Sequence, residues 1–68
     1  MGYDAILRNW YFDKFSKCLV GDIYEDKKGR FEDGARVRTS FVYDLSRDNG
    51  RAITRSSVYK LEDEVKKD

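Results

Sequence analysis

The sequence predicts an all-β domain, a small and strongly curved antiparallel sheet or SH3-like barrel of four to five strands. Three observations carry this expectation. Bulky strand-forming residues gather in short runs, and aromatics make up 15% of the chain. The pairs Lys28-Gly29, Asp33-Gly34 and Asn49-Gly50 punctuate those runs as turn signals. Amphipathic helical spacing is weak throughout, with the last ten residues the only candidate stretch.

The elements follow in order. Ile6-Leu7-Arg8-Asn9-Trp10-Tyr11-Phe12 reads as a first strand, with Ile6, Trp10 and Phe12 on one face and Tyr11 on the other. Asp13 to Ser16 is a turn. Lys17 to Tyr24 is a second strand, in which Gly21 marks a bulge or the close approach of another backbone. A polar connection covers residues 25–34, with Phe31 tucked back as a plug between its two glycine turns. The third strand, Ala35 to Asp44, sets Val37, Phe41 and Tyr43 on an apolar face and Arg36, Arg38 and Ser40 on the other. Asn49-Gly50 is the strongest hairpin signal in the chain. The fourth strand, Arg51 to Leu61, is long enough to bend near Ser56-Ser57 and split in two. Residues 1–61 form one β domain, and residues 62–68 form a polar tail, either frayed or a short helical turn.

Composition narrows the chemistry. The chain has 68 residues, one cysteine and no histidine. An intrachain disulfide and a structural zinc site are both excluded, and the commonest general base is missing. Cys18, followed by Leu19 and Val20, reads as a buried structural thiol. Asp22, a carboxylate within a strand, reads as the partner of a cross-strand Arg or Lys. No phosphate-cradling, dinucleotide or metal-loop motif occurs. The expectation is therefore a protein that is not an enzyme and needs no cofactor. Apolar runs are too short to span a bilayer and no signal peptide is visible, so a free thiol points to the cytoplasm. A chain this short is marginally stable alone, which favours a homo-oligomer.

Charge is unevenly spread. Residues 36–61 carry six basic and two acidic residues, a local net of +4, while the whole chain is +1. That excess is small for a nucleic-acid-binding protein and better suited to a compact site for a small anion. The candidate binding residues are Tyr11, Arg38, Thr39, Ser40 and Arg55, beside Arg36. Tyr11 offers a stacking face, the arginines offer bidentate hydrogen bonds to phosphate, and the hydroxyls sit beside two guanidinium groups. The alternative is structural: a half-buried strand tyrosine, solvated arginines paired with carboxylates, and hydroxyls bonded to local backbone. Arg38 and Ser40 share a strand face and Thr39 points the other way. One pocket using all three requires a bulge, a strand end or a second subunit.

Residues 37–43 echo residues 53–59 in composition, as paired hairpin strands or as two strands feeding one polar site. The wider pattern Trp10 … Gly21-Asp22-Ile23-Tyr24 … Phe31-Glu32-Asp33-Gly34 … Thr39-Ser40 … Thr54-Arg55-Ser56-Ser57-Val58-Tyr59-Lys60-Leu61 resembles a class of short phage and prophage proteins. That class is similar to small phage counter-defence proteins that act as anti-CBASS sponges, binding a cyclic dinucleotide immune signal without cleaving it. The resemblance implies an oligomer in an infected bacterial cell, with ligand sites near subunit interfaces. By position Tyr11 would stack on a base, and Arg38, Thr39 and Ser40 would hold phosphate or base edges. Only Thr39-Ser40 belongs to the shared pattern; the roles of Tyr11, Arg38 and Arg55 rest on their chemistry. Two other classes fit the composition: a module that blocks a host protein through a sheet edge or aromatic patch, and a small single-stranded nucleic-acid-binding β-barrel.

Overall fold

The computed structural model describes residues 2–65. Its elements are β1 (Ala5–Asp13), β2 (Cys18–Tyr24), β3 (Ala35–Arg38), β4 (Val42–Ser46), β5 (Arg51–Thr54) and β6 (Val58–Leu61). They form one six-stranded sheet in the order β3-β2-β1-β6-β5-β4. No helix occurs among the described residues, so none is long and apolar enough to cross a membrane. The all-β expectation is met. The strand count and pairing differ from it: there are six strands, β1 and β6 are parallel, and the hydrogen-bonded ladder is not closed.

Two expected strand segments are each divided into two strands. The fourth predicted strand bends at residues 55–57 as its length required, giving β5 and β6. The third breaks at residues 39–41, giving β3 and β4. This second break has a topological cause. β3 and β4 are the two edges of the sheet, yet only residues 39–41 join them. Four Cα steps from Arg38 to Val42 reach about 15 Å at most. The edges of a flat six-stranded sheet would lie about 24 Å apart at the usual strand spacing. The sheet must therefore curl until its edges approach. Hydrogen bonds fix the crossing: Thr39 N–H donates to the Leu19 carbonyl at 2.8 Å, Val42 N–H to the Lys17 carbonyl at 2.8 Å, and Arg55 N–H to the Phe41 carbonyl at 2.9 Å.

β1 is the spine. It pairs antiparallel with β2 and parallel with β6. Its register against β2 slips between Arg8 and Tyr11, where Asn9 adopts a left-handed φ of 51°. This bulge reverses the alternation along the strand. Leu7, Trp10 and Phe12 face the core together, whereas Ile6 was expected to share their face. Tyr11 turns outward as expected. Gly21 lies against the bulge, where a Cβ would come within 2.9 Å of the Trp10 Cβ. The core comprises Ala5, Leu7, Trp10, Leu19, Ile23, Val37, Ala52, Tyr59 and Leu61. Leu7, Leu19 and Ile23 are fully buried, each burial being worth roughly 1.5–3 kcal/mol.

Residues 62–65 do not behave as a frayed end or helical turn. They continue alongside β1: Glu62 N–H donates to the Leu7 carbonyl, Trp10 N–H to the Asp63 carbonyl, and Val65 N–H to the Trp10 carbonyl. Asp63, with φ 57°, supplies a second left-handed kink that keeps step with the Asn9 bulge. Arg47 closes the arrangement by donating from Nε to the Glu64 carboxylate at 3.0 Å. The rest of the expected tail, 66–68, lies outside the described residues. Phe31 is exposed rather than a plug, because the 25–31 loop is organised by Asp26 instead.

Candidate functional site

Strand alternation sorts the candidate residues onto different surfaces. On the outer face of β1, β2 and β3, Tyr11, Val20 and Arg38 form one cross-strand row, and Arg8, Asp22 and Arg36 form the next. Both β3 arginines are engaged. Arg38 Nη1 donates to Asp13 Oδ2 at 3.1 Å and to Ser16 Oγ at 2.9 Å. Arg36 Nη1 donates to Asp22 Oδ1 at 2.9 Å, and Asn9 Nδ2 donates to the other Asp22 oxygen at 3.1 Å. The cross-strand role expected for Asp22 is therefore observed. The Arg38 hydrogen bond, with a backbone N–H from Phe15, holds the Asp13 carboxyl below the usual range. Asp22 is held low by Asn9 first and Arg36 second. Glu62 is lowered by the Arg8 side chain.

Carboxylates whose folded pKa is depressed stabilise the fold above their unfolded pKa, near 4, and lose that contribution as pH falls through the folded value. The thermal midpoint is expected to hold steady from about pH 7 to pH 5 and to fall below about pH 4. Melts followed by Trp10 fluorescence check this. A D13N/D22N double variant should show a flatter acid limb than wild type.

A second group gathers where the chain crosses between the sheet edges. Thr39 is 6% exposed, and its hydroxyl is fully employed. Oγ1 accepts from the Leu19 N–H at 3.0 Å and donates to the Ser40 carbonyl at 2.9 Å. Thr39 thus pins the crossing, with its side chain buried. Ser40 Oγ lies 3.1 Å from Ser56 Oγ and accepts from the Ser56 N–H at 3.2 Å. These hydroxyls join the two echoing segments by extending the antiparallel β4–β5 pairing beyond Val42 and Thr54. Arg55, set opposite Phe41 by its backbone hydrogen bond, is exposed and has no acidic partner within 4 Å among the described residues.

The five candidates therefore do not form one pocket. Ser40 and Arg55 lie at the corner through their neighbours, Ser40 bonded to Ser56 and Arg55 to Phe41, while Tyr11 and Arg38 share an outer-face row and Thr39 is buried. Two aromatic residues join the corner that the strand pattern had assigned to the core. Phe41 is 41% exposed and Tyr43 63%, with ring centroids 5.5 Å apart in an edge-on arrangement. The break at 39–41 and a register shift between Val42 and Asp44 turn both outward. Their alternating positions alone gave no sign of this. Ser56 is not among the candidate binding residues, although the echo, the expected bend and the wider pattern all include it.

Cys18 departs from the buried thiol expected of it. It is half-buried on the outer face opposite Asp13, with Sγ donating to the Ser16 carbonyl at 3.4 Å. The class these features define is a small all-β protein with a mixed-charge surface, on which exposed carboxylates such as Glu32, Asp44 and Asp48 stand beside cations, hydroxyls and aromatic rings. No protein-family model, curated protein or solved structure matches the chain.

Proposed function

We propose that the protein binds and sequesters a cyclic dinucleotide without cleaving it, as a homo-oligomer in the cytoplasm of an infected bacterial cell. The observation that carries this reading is the corner at Ser40, Arg55 and Ser56, where two hydroxyls and a cation with no acidic partner among the described residues lie next to the accessible Phe41–Tyr43 pair along the β4–β5 pairing. A cyclic dinucleotide presents two negative charges and two flat bases. Arginine supplies strong hydrogen bonds to phosphate, and base–aromatic stacking adds roughly 1–3 kcal/mol per base. Neither contact calls for a general base or a metal. The resemblance to phage counter-defence sponges points the same way, and a two-fold symmetric ligand suits an isologous interface. The tight return of the chain across 39–41 favours reading the curled sheet as SH3-like, which gives the corner rigid support.

Calorimetry with a panel of cyclic di- and trinucleotides tests the reading. The expected result is stoichiometric binding, with intact ligand recovered after denaturation. Arg55→Ala should weaken binding at least about tenfold while leaving the melting curve in place. Thr39→Val should lower stability, because the Leu19 N–H loses an acceptor, yet leave affinity unchanged in the folded protein. Absence of binding across the panel overturns the proposal.

One observation favours a second reading. Phe15 is 98% exposed in the β1–β2 turn, and Tyr43 is exposed on edge strand β4, as expected of a surface that blocks a host protein. That reading requires copurification of a host partner, sensitivity to Tyr43→Ser, and indifference to nucleotides.

A further inference from the structure

The opposite end of the β5–β6 hairpin holds a cluster of cations. Arg51 and Lys60 are directly opposed in the β5–β6 register. Like charges at such positions are destabilising, because their Cβ atoms lie only about 4.5–5.5 Å apart. Lys27 adds a third cation, its Nζ 4.3 Å from the centroid of the Tyr3 ring, and Lys60 Nζ lies 5.9 Å from the same centroid. The negative charge nearby is insufficient. Glu62 reaches Lys60 at 3.5 Å, but it is shared with Arg8, which it meets at 2.9 Å. Among the described residues neither Arg51 nor Lys27 has a carboxylate within 4 Å. Asp4, next to Tyr3, directs its carboxylate to the Val58 N–H. Tyr3, Arg51 and Lys60 line one concavity together with Gly2 and with Asn49 and Gly50 at the β4–β5 turn.

We propose that this concavity is a phosphate-binding site, in which Arg51 and Lys60 hold the phosphate and Lys27, braced on the Tyr3 ring, adds charge at the rim. Arg51 provides the planar donor fork that matches phosphate oxygens, and Lys60 provides a point charge. A bound dianion would turn the opposed cations from mutually repelling into jointly attracting groups. Gly50, at φ 63°, adds no side chain of its own to the lining, which eases the close approach of a tetrahedral anion there. The site is separate from the Ser40–Arg55 corner and stands independently of the cyclic-dinucleotide reading.

Thermal melts with inorganic phosphate, pyrophosphate and a nucleoside monophosphate, each against sodium chloride at equal ionic strength, provide the test. Chloride screens the Arg51–Lys60 repulsion without occupying the site. Phosphate is expected to raise the midpoint beyond the chloride control and to shift the amide resonances of Gly50 and Arg51. Arg51→Gln should abolish this specific increment while melting no lower than wild type in its absence, since it removes a repulsive pair. Lys14→Ala, on the exposed β1–β2 turn, should retain it. If only pyrophosphate or the nucleotide raises the midpoint, the site takes phosphate carried on a larger ligand; if inorganic phosphate suffices, the free ion is a ligand. Equality of all three with chloride, or an undiminished increment in Arg51→Gln, overturns the proposal. Failure here leaves the cyclic-dinucleotide result at Arg55 untouched.

Discussion

A Gly21→Ala variant is expected to melt about 10–20 °C below wild type, the shift that a loss of about 2–3 kcal/mol produces in a domain this small. The new methyl group would sit 2.9 Å from the Trp10 Cβ and 3.1 Å from both the Trp10 Cα and the Arg8 carbonyl oxygen. Two of these three atoms are backbone, and no rotamer change moves them aside. They lie at the bulge where Asn9 already holds a left-handed φ. Relief must come from parting β1 and β2 at the point where Trp10 enters the core. The position calls for glycine because of this approach, for its own φ is not in the left-handed region. Urea unfolding followed by Trp10 emission measures the effect: the midpoint falls while the slope is retained. A loss below about 1 kcal/mol would show that the bulge yields easily and that the contact is not what selects glycine here.

Removing the Asp26 carboxylate should cost about 2–4 kcal/mol, comparable to breaking a charge-assisted network out of solvent. Its side chain is 1% exposed. One oxygen accepts from the Arg30 N–H at 2.8 Å, the Phe31 N–H at 3.2 Å and Arg30 Nε at 3.2 Å. The other accepts from the Lys28 N–H at 3.2 Å and Arg30 Nη2 at 3.1 Å. Asp26→Ala strands three backbone donors and a guanidinium together. The damage should extend to the β5–β6 bend, because the same loop directs Lys28 Nζ to the Ser56 carbonyl and Arg30 Nη1 to Ser57 Oγ at 3.1 Å. Hydrogen exchange at the Ser56 and Ser57 amides should accelerate along with the fall in global stability. Asp26→Asn keeps the shape but not the charge, and should lie between. An asparagine variant equal to wild type would show that hydrogen-bond geometry alone organises the loop.

The strand runs, the Asn49-Gly50 hairpin and the bend before Ser57 were legible because each rests on local chemistry: β-branched and aromatic side chains, a turn dipeptide, a run too long to stay straight. The division between β3 and β4 was not, because Thr39, Ser40 and Phe41 are ordinary strand residues. The break there arises from the need to join opposite sheet edges. The inverted alternation after Asn9 was hidden for a similar reason. Asparagine tolerates a left-handed backbone, but nothing in its neighbours announces that it takes one. At the candidate site, the residue types were legible and their grouping was not. Asp22 was recognisable as the partner of a cross-strand cation. Asp13 read only as the start of a turn, so its claim on Arg38 was invisible. Ser40 and Arg55 lie near one another because the pairing of the Asn49-Gly50 hairpin continues past Val42 and Thr54 to Phe41 and Arg55, and the register shift beside Tyr43 hid which residues it would pair.

The parallel pairing of β1 with β6 places the earliest and latest strands of the sheet side by side at its centre, while the middle of the chain supplies both rims. A nascent chain with β1 to β5 outside the ribosome can form the β1–β2–β3 and β4–β5 meanders. It cannot seat Leu7, Trp10 and Tyr59 against one another until β6 emerges. Synthesis and folding are thereby coupled late and all at once. Such a protein is expected to acquire protease resistance in a single step upon completion of β6, and to offer no autonomously folding half to a partner, a protease or an engineer seeking to split it.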